Sequence, residues 1–202
     1  AAVTPEDNPH VEVRFANGVA YAAYRVIFPT LRNSDRANSM QIAEVELLGY
    51  PARSFQTGQG GLPHLQTAPD DPAGVDLGRG SSATPTPDVE EFAPIQILRD
   101  VTDPDDKVTI VFGEDDGDGR KGGPKTHEGV ENAIDNTGKK YLNYNDLGSG
   151  FIVEVAGPTL IQGARFYPTN DAAGRDPASY VIEGGTTRRG ARTWAPIANG
   201  DL

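Results

Sequence analysis

The sequence predicts an all-β, antiparallel sandwich. Three observations carry that expectation. Short runs alternate apolar and polar residues with a period of two, Gly, Pro, Asn and Asp punctuate them at short intervals, and helical periodicity is scarce. In chain order, VEVRF (11–15) sets Val11, Val13 and Phe15 against Glu12 and Arg14, so one face is buried. YRVIF (24–28) puts Tyr24, Val26 and Phe28 on one face. AEVEL (43–47) turns Ala43, Val45 and Leu47 inward and Glu44 and Glu46 to the other face. KVTIVF (107–112), FIVEV (151–155), ARFYP (164–168) and SYVIEG (179–184) repeat the theme. Two single turns of helix are expected, at 129–134 and near 36–42. The predicted core holds Val13, Phe15, Tyr24, Val26, Phe28, Val45, Leu47, Val153, Tyr180, Ile182 and Trp194.

Residues 51–89 differ in kind. They are rich in Pro, Gly, Ser and Thr and poor in large apolar side chains, and they read as an extended linker. Fully stretched, such a segment reaches about 120 Å at 3.1–3.3 Å per residue. The acidic stretch 113–125 reads as a second loop. The chain therefore divides into 1–50, a linker over 51–89, and 90–202.

A length of 202 residues suits one domain plus a long connector. There are no cysteines, which excludes disulfides, thiolate metal sites and a cysteine nucleophile. The net charge of −11 argues against nucleic-acid binding, which needs a basic face for phosphates. It suits carboxylate oxygens that hold calcium. No apolar run approaches the roughly 20 residues of a membrane span. The chain opens without Met and without a signal peptide, which fits a mature product or a repeat cut from something longer.

Two groups of motifs carry a family resemblance. EGVENAID…KYLNY (128–144) and NDAAGRDPASYVIEGG (170–185) resemble the opening half of a discoidin-like domain, the coagulation-factor C-type, galactose-binding-like domain of bacterial surface proteins. YRVIFPT…NSMQIAEVELLG (24–49) resembles its closing half. The halves stand in permuted order. The seam ANGDL–AAVTPEDNPHVEVRFANG would run without a break if Leu202 were joined to Ala1. The resemblance covers 128–202 and 1–50 well and 90–127 loosely. GGTTRRGARTW replaces the family's usual polar turn before the tryptophan. The resemblance implies an antiparallel jelly-roll, discoidin-like sandwich, split or permuted, plus the Pro/Gly-rich linker. It also implies a mostly non-catalytic domain that binds glycans or other surface ligands and holds a structural calcium.

That calcium would be wrapped by the turn ENAIDNTGKKY. The resemblance assigns carboxylates from Asp135 and Glu44, main-chain oxygens from Ala133 and Lys139, and a further oxygen from Asn136 or Thr137. Calcium takes six to eight such oxygens. The competing reading is a plain hydrogen-bonded turn, with Lys139 and Lys140 opposing an ion. EDDGDG (114–119) matches part of an EF-hand loop, but His127 stands where its twelfth-position glutamate belongs, so a solvated loop is expected.

Catalytic signals are weak. His10, His64 and His127 are scattered, and no HExxH, GxSxG or GxxxxGK[ST] occurs. Arg175 and Asp176 read as a charged pair fixing a turn. Tyr141, Tyr144 and Trp194 are the aromatic candidates for a sugar platform, Trp194 being assigned to the core instead. No ligand pocket is identified. Ser81, Ser82, Thr84 and Thr86 lie in a stretch suited to O-glycosylation, with Thr84 and Thr86 the leading acceptors; the plain alternative is a polyproline-type linker.

The expected role is structural and not enzymatic. Copies of the chain would join head to tail in an extracellular or cell-surface filament, by complementation or chain continuity of the split sandwich. The alternative is a non-catalytic carbohydrate-binding module of a secreted protein. The expected partners are copies of the chain and possible glycans, with no nucleic acid and no membrane span.

Overall fold

The computed structural model of the chain describes residues 9–51, 97–111, 127–144 and 147–202. All but Ile97 belong to one compact unit. The described residues form ten strands: β1 (Val11–Arg14), β2 (Tyr21–Phe28), β3 (Met40–Ile42), β4 (Glu44–Pro51), β5 (Arg99–Asp100), β6 (Lys107–Val111), β7 (Tyr141–Asn143), β8 (Ser149–Tyr167), β9 (Ser179–Arg188) and β10 (Ala191–Asp201). Two 3-10 turns, Val130–Ala133 and Ala173–Arg175, are the helical pieces among the described residues. The protein is all-β, and every strand pairing is antiparallel.

The organising element is β8. The sequence predicts two strands over 151–155 and 164–168; the structure makes them parts of one 19-residue strand. Its first part pairs with β2 on one side and β6 on the other. Its second part pairs with β4 and β1. Between these parts the register opens: Tyr21 faces Thr159, yet Ala23 faces Glu154. A bulge of this kind, here containing Pro158, lets a strand turn a corner and pass from one layer to the other. All eight of these strands belong to one antiparallel sheet, whose two parts on either side of the bulge, β10-β9-β2-β8-β6 and β1-β8-β4-β5, serve as the layers, and β3 and β7 form a separate two-stranded sheet.

The layers share a single core. Tyr24, Val26 and Phe28 of β2 alternate inward, as do Phe151 and Val153 of β8 and Tyr180 and Ile182 of β9. Val45 and Leu47 of β4 and Ile161, Ala164 and Phe166 of β8 supply the other wall. Phe166 joins the layers through its rings' neighbours, standing 6.3 Å from Phe28, edge-on, and 5.1 Å from Tyr180. Edge-to-face contacts at this spacing add to plain burial.

Several expectations are corrected. The helical turn near 36–42 is absent: residues 32–36 form turns and Met40–Ile42 pairs with β7. Met40, Gln41 and Ile42 are all buried, which a strand between other elements permits. Val13 and Phe15 are half-buried, because β1 lies at an edge of its layer. Trp194 is also half-buried and lies on the outer face, over Gly185. The outward face of β4 is not solvated: Glu44 is 1% exposed and Glu46 6%. Finally, the β9–β10 hairpin turns on Arg189 (φ 52°) and Gly190 (φ 82°), the two positive angles of a tight hairpin turn that follows the strand twist.

Candidate functional site

The site begins with β4. Its alternation sends Val45 and Leu47 into the core and therefore sends Glu44 and Glu46 out. Glu46 meets Arg165 of β8, its register partner, at 2.9 Å, and Arg165 meets Glu12 of β1 at 2.7 Å. Arg14 completes the ladder at 2.6 Å from Glu12. The Arg165 hydrogen bond holds the Glu12 carboxyl below the usual carboxylate range against the opposing effect of burial, and Arg14 adds to it.

Among the described residues Glu44 has no such cation. It lies under the turn that follows Val130–Ala133. Asn132 braces this turn by donating to the carbonyls of Lys140 (2.9 Å) and His127 (3.2 Å). Asp135 accepts from the main-chain N–H of Thr137 (2.9 Å) and from its hydroxyl (2.6 Å), both through Oδ1. Asn136 takes a left-handed conformation (φ 56°), which asparagine tolerates, and its N–H donates to Glu44 Oε2 at 2.9 Å. One oxygen of each carboxylate is thus engaged by the backbone. Of the others, Asp135 Oδ2 has the exposed Lys139 ammonium at 3.6 Å. Glu44 Oε1 is buried and has no hydrogen-bond partner among the described residues.

Burial, and after it the charge of Asp135, push the Glu44 carboxyl up to about 9. A buried carboxylate with an orphaned oxygen beside a second carboxylate is what a hard cation would relieve. The residues present fit calcium on that ground. Glu44 and Asp135 would give the charged oxygens, and the carbonyls of Ala133 and Lys139, with Asn136 or Thr137, the neutral ones. Among the described residues no group of three or more Asp, Glu or His is placed to hold a metal ion, so the described residues offer such an ion two carboxylates, Glu44 and Asp135.

The remaining predicted residues disperse. Tyr141 is buried, donating to the Gly150 carbonyl at 3.1 Å and accepting from Asn143 at 2.7 Å. Tyr144 is half-buried. Trp194 carries the guanidinium of Arg25 at 4.7 Å and that of Arg192 at 5.7 Å from the ring centre. His10 packs on Tyr167 at 4.9 Å, and the His127 carbonyl accepts from Asn132 at the 130–140 turn. Arg175 is not the partner of Asp176: the buried Asp176 faces Arg32 at 3.7 Å and accepts from Gln41 and Thr169. Lys140 points away from the turn, to Asp171 at 2.9 Å and Glu128 at 3.3 Å. His64, Ser81, Ser82, Thr84, Thr86 and the acidic loop 114–119 lie outside the described residues.

Sequence reasoning missed the Glu12–Arg165–Glu46 ladder and the Gln41–Asp176 cluster. The first was signalled only by alternating charges on three separate strands, whose register a single sequence does not show. Comparison of the chain with protein families, curated proteins and solved structures finds no match.

Proposed function

We propose that the chain is a non-catalytic structural unit of an extracellular or cell-surface assembly, built on a discoidin-like jelly roll. Units join head to tail, or follow one another as tandem repeats, through the 9–51 segment. One observation carries this reading: residues 9–51 supply inner strands to both layers. β2 lies between β9 and β8, and β4 between β8 and β5. Tyr24, Val26, Phe28, Met40, Ile42, Val45, Leu47 and Leu48 are at most 1% exposed. Their burial is worth on the order of 10–20 kcal/mol before chain entropy is subtracted. A sandwich without this segment would therefore take one from elsewhere.

The geometry of the seam supports exchange. Val11 and Leu202 line the same small cavity, so the two segments meet where the permuted order joins them. The residues 52–96 between them reach about 140 Å when stretched at 3.1 Å per residue. Either the chain's own sandwich or a neighbour's is within that span. A head-to-tail exchange does not close and gives a filament. Calcium at the Glu44–Asp135 turn would brace β4 against the 130–140 turn, and so the donated segment against its acceptor.

A second reading is favoured by the pairing of 9–51 with 98–202 inside one chain: a closed, permuted carbohydrate-binding module of a secreted protein. Refolding an equal mixture of two differently tagged chains separates the two. Head-to-tail units give a broad, concentration-dependent mass distribution in light scattering, with both tags in one particle. A monodisperse 21.5 kDa species that excludes the second tag overturns the assembly and leaves the binding module.

A further inference from the structure

The loop after β8 and the buried strand β3 bring a hydroxyl, an amide and a carboxyl together. Gln41 of β3 is fully buried, and its side-chain nitrogen Nε2 is in hydrogen-bond contact with the Thr169 hydroxyl. The carbonyl carbon of that amide lies one bond behind Nε2. Asp176 Oδ1 touches both groups, accepting from Thr169 Oγ1 at 3.2 Å and from Gln41 Nε2 at 3.1 Å. Asp176 is 2% exposed, and the Arg32 guanidinium stands 3.7 Å from its other carboxyl oxygen. A hydroxyl within hydrogen-bond reach of a base, with the base oriented by a third group, is the arrangement that activates a nucleophile. The amide it faces is poorly provided for: Gln41 Oε1 is buried with no hydrogen-bond partner among the described residues.

We propose that Thr169 and Gln41 become joined by an ester bond that the protein forms on itself, with Asp176 as the proton carrier. Thr169 Oγ1 attacks the Gln41 carbonyl carbon. The hydroxyl proton passes to Asp176 Oδ1 and from there to Nε2. The O–C bond forms, the C–N bond breaks, and ammonia leaves. The step needs no oxidant, metal or second substrate.

The surroundings favour this step. The fold holds hydroxyl and amide together, which turns an encounter between two groups into an intramolecular reaction. Burial pushes the Asp176 carboxyl above its ordinary value, against the hydrogen bonds from Gln41 and Thr169 that lower it, which suits a group that both takes and returns a proton. The product fits the place better than the amide does. An ester carbonyl is a weaker acceptor than an amide carbonyl, so leaving it buried and unpaired costs less. Water is kept from Gln41, which protects the bond once it is made. The carbonyls that Nε2 served keep partners: Ala172 accepts from the Arg175 N–H at 2.8 Å, and Asp171 is exposed to solvent. Asp176 also lines a cavity of about 10 Å³, room for one molecule of the size of water or ammonia. The bond would tie β3 to the loop after β8, hence the 9–51 segment to the 98–202 segment, whether that segment is the chain's own or a neighbour's.

The test is the intact mass of the purified full chain, measured after denaturation. The wild type should weigh about 17 Da, one ammonia, less per chain than its sequence. Peptide mapping should recover the peptides that carry Gln41 and Thr169 as one cross-linked species, and mild hydroxylamine, which cleaves esters, should part them. Thr169→Val should restore the full sequence mass and Thr169→Ser should keep the bond. Asp176→Asn should slow its appearance after refolding by about a hundredfold or more. On a denaturing gel a bond within one chain gives a single band, and a bond to a neighbour gives a ladder that hydroxylamine collapses; either form supports the ester, and the gel reports separately on the assembly. The wild-type mass decides the proposal even where a variant does not fold. A wild-type chain at its full sequence mass would overturn it, as would a mass loss that persists in Thr169→Val, which a cyclised Asn17–Gly18 pair would give.

Discussion

Replacing Phe28 by alanine tests whether the two layers share one core. Phe28 is fully buried at the end of β2, and its ring meets Phe166 edge-on at 6.3 Å across the layers. Large-to-small changes at such sites cost about 3–5 kcal/mol, because lost transfer energy and a residual cavity add. The edge-to-face pair contributes about 0.5–1.5 kcal/mol of that. Phe28→Ala should therefore lower stability by about 4 kcal/mol in urea titration, with the m-value nearly unchanged. A double-mutant cycle with Phe166→Ala should return a coupling of about 1 kcal/mol, since removing either ring removes the same contact. Ile27→Ala, on the half-buried opposite face, should cost much less. A loss below about 1 kcal/mol for Phe28→Ala, or zero coupling to Phe166, would refute the facing of the layers.

Other outcomes follow from the same geometry. Glu44 has a folded-state pKa of about 9 against an ordinary value of 4.5. Its stabilising contribution is thus complete below about pH 4.5 and is lost as pH rises through about 9, at up to about 1.4 kcal/mol per pH unit. In EDTA, Tm should fall across that window, Glu44→Gln should flatten the fall, and calcium should shrink it by taking the proton's place; identical profiles for wild type and Glu44→Gln would remove Glu44 from the account. Gly185→Val places a Cβ 2.8 Å from the Trp194 ring and 3.3 Å from Ala23 Cβ. It should cost about 1–3 kcal/mol and shift tryptophan fluorescence to the red as the ring leaves its seat; an unchanged spectrum would deny that seat.

The all-β class and the β2, β4 and β9 cores were legible because alternation with a period of two records burial directly. Tyr24, Val26 and Phe28 needed only their own spacing. What was illegible depended on distant partners. The burial of Glu44 and Glu46 comes from the 130–140 turn and from Arg165, more than 80 residues away in the chain. The continuity of β8 was hidden by AGP (156–158), which reads as a break but serves as a corner between layers. β10 was missed since ARTWAPIANGD has Pro, Asn and Gly where a strand is expected to be regular; it lies at a sheet edge, which accepts Pro196 and a register shift beside it. Trp194 was assigned to the core by resemblance, whereas Gly185 offers it a flat seat outside. At the candidate site the residue types were visible in the sequence, and the orphaned oxygens of Glu44 and Gln41 were not.

The claim that matters most is that 9–51 completes the sandwich of 98–202. Thr30 and Ser179 report on it from either side of the seam, their hydroxyl oxygens lying 2.6 Å apart. The chain has no cysteine, so Thr30→Cys/Ser179→Cys introduces a clean pair. Mild oxidation of the folded double variant should join the two cysteines nearly completely, mapped as one cross-linked peptide pair, while each single variant keeps a free thiol. On a non-reducing gel at raised concentration, the proposed assembly gives a ladder and closure within one chain gives a single band. Two thiols that stay free under oxidation in the folded protein would contradict the account, because the segments would then not meet as described.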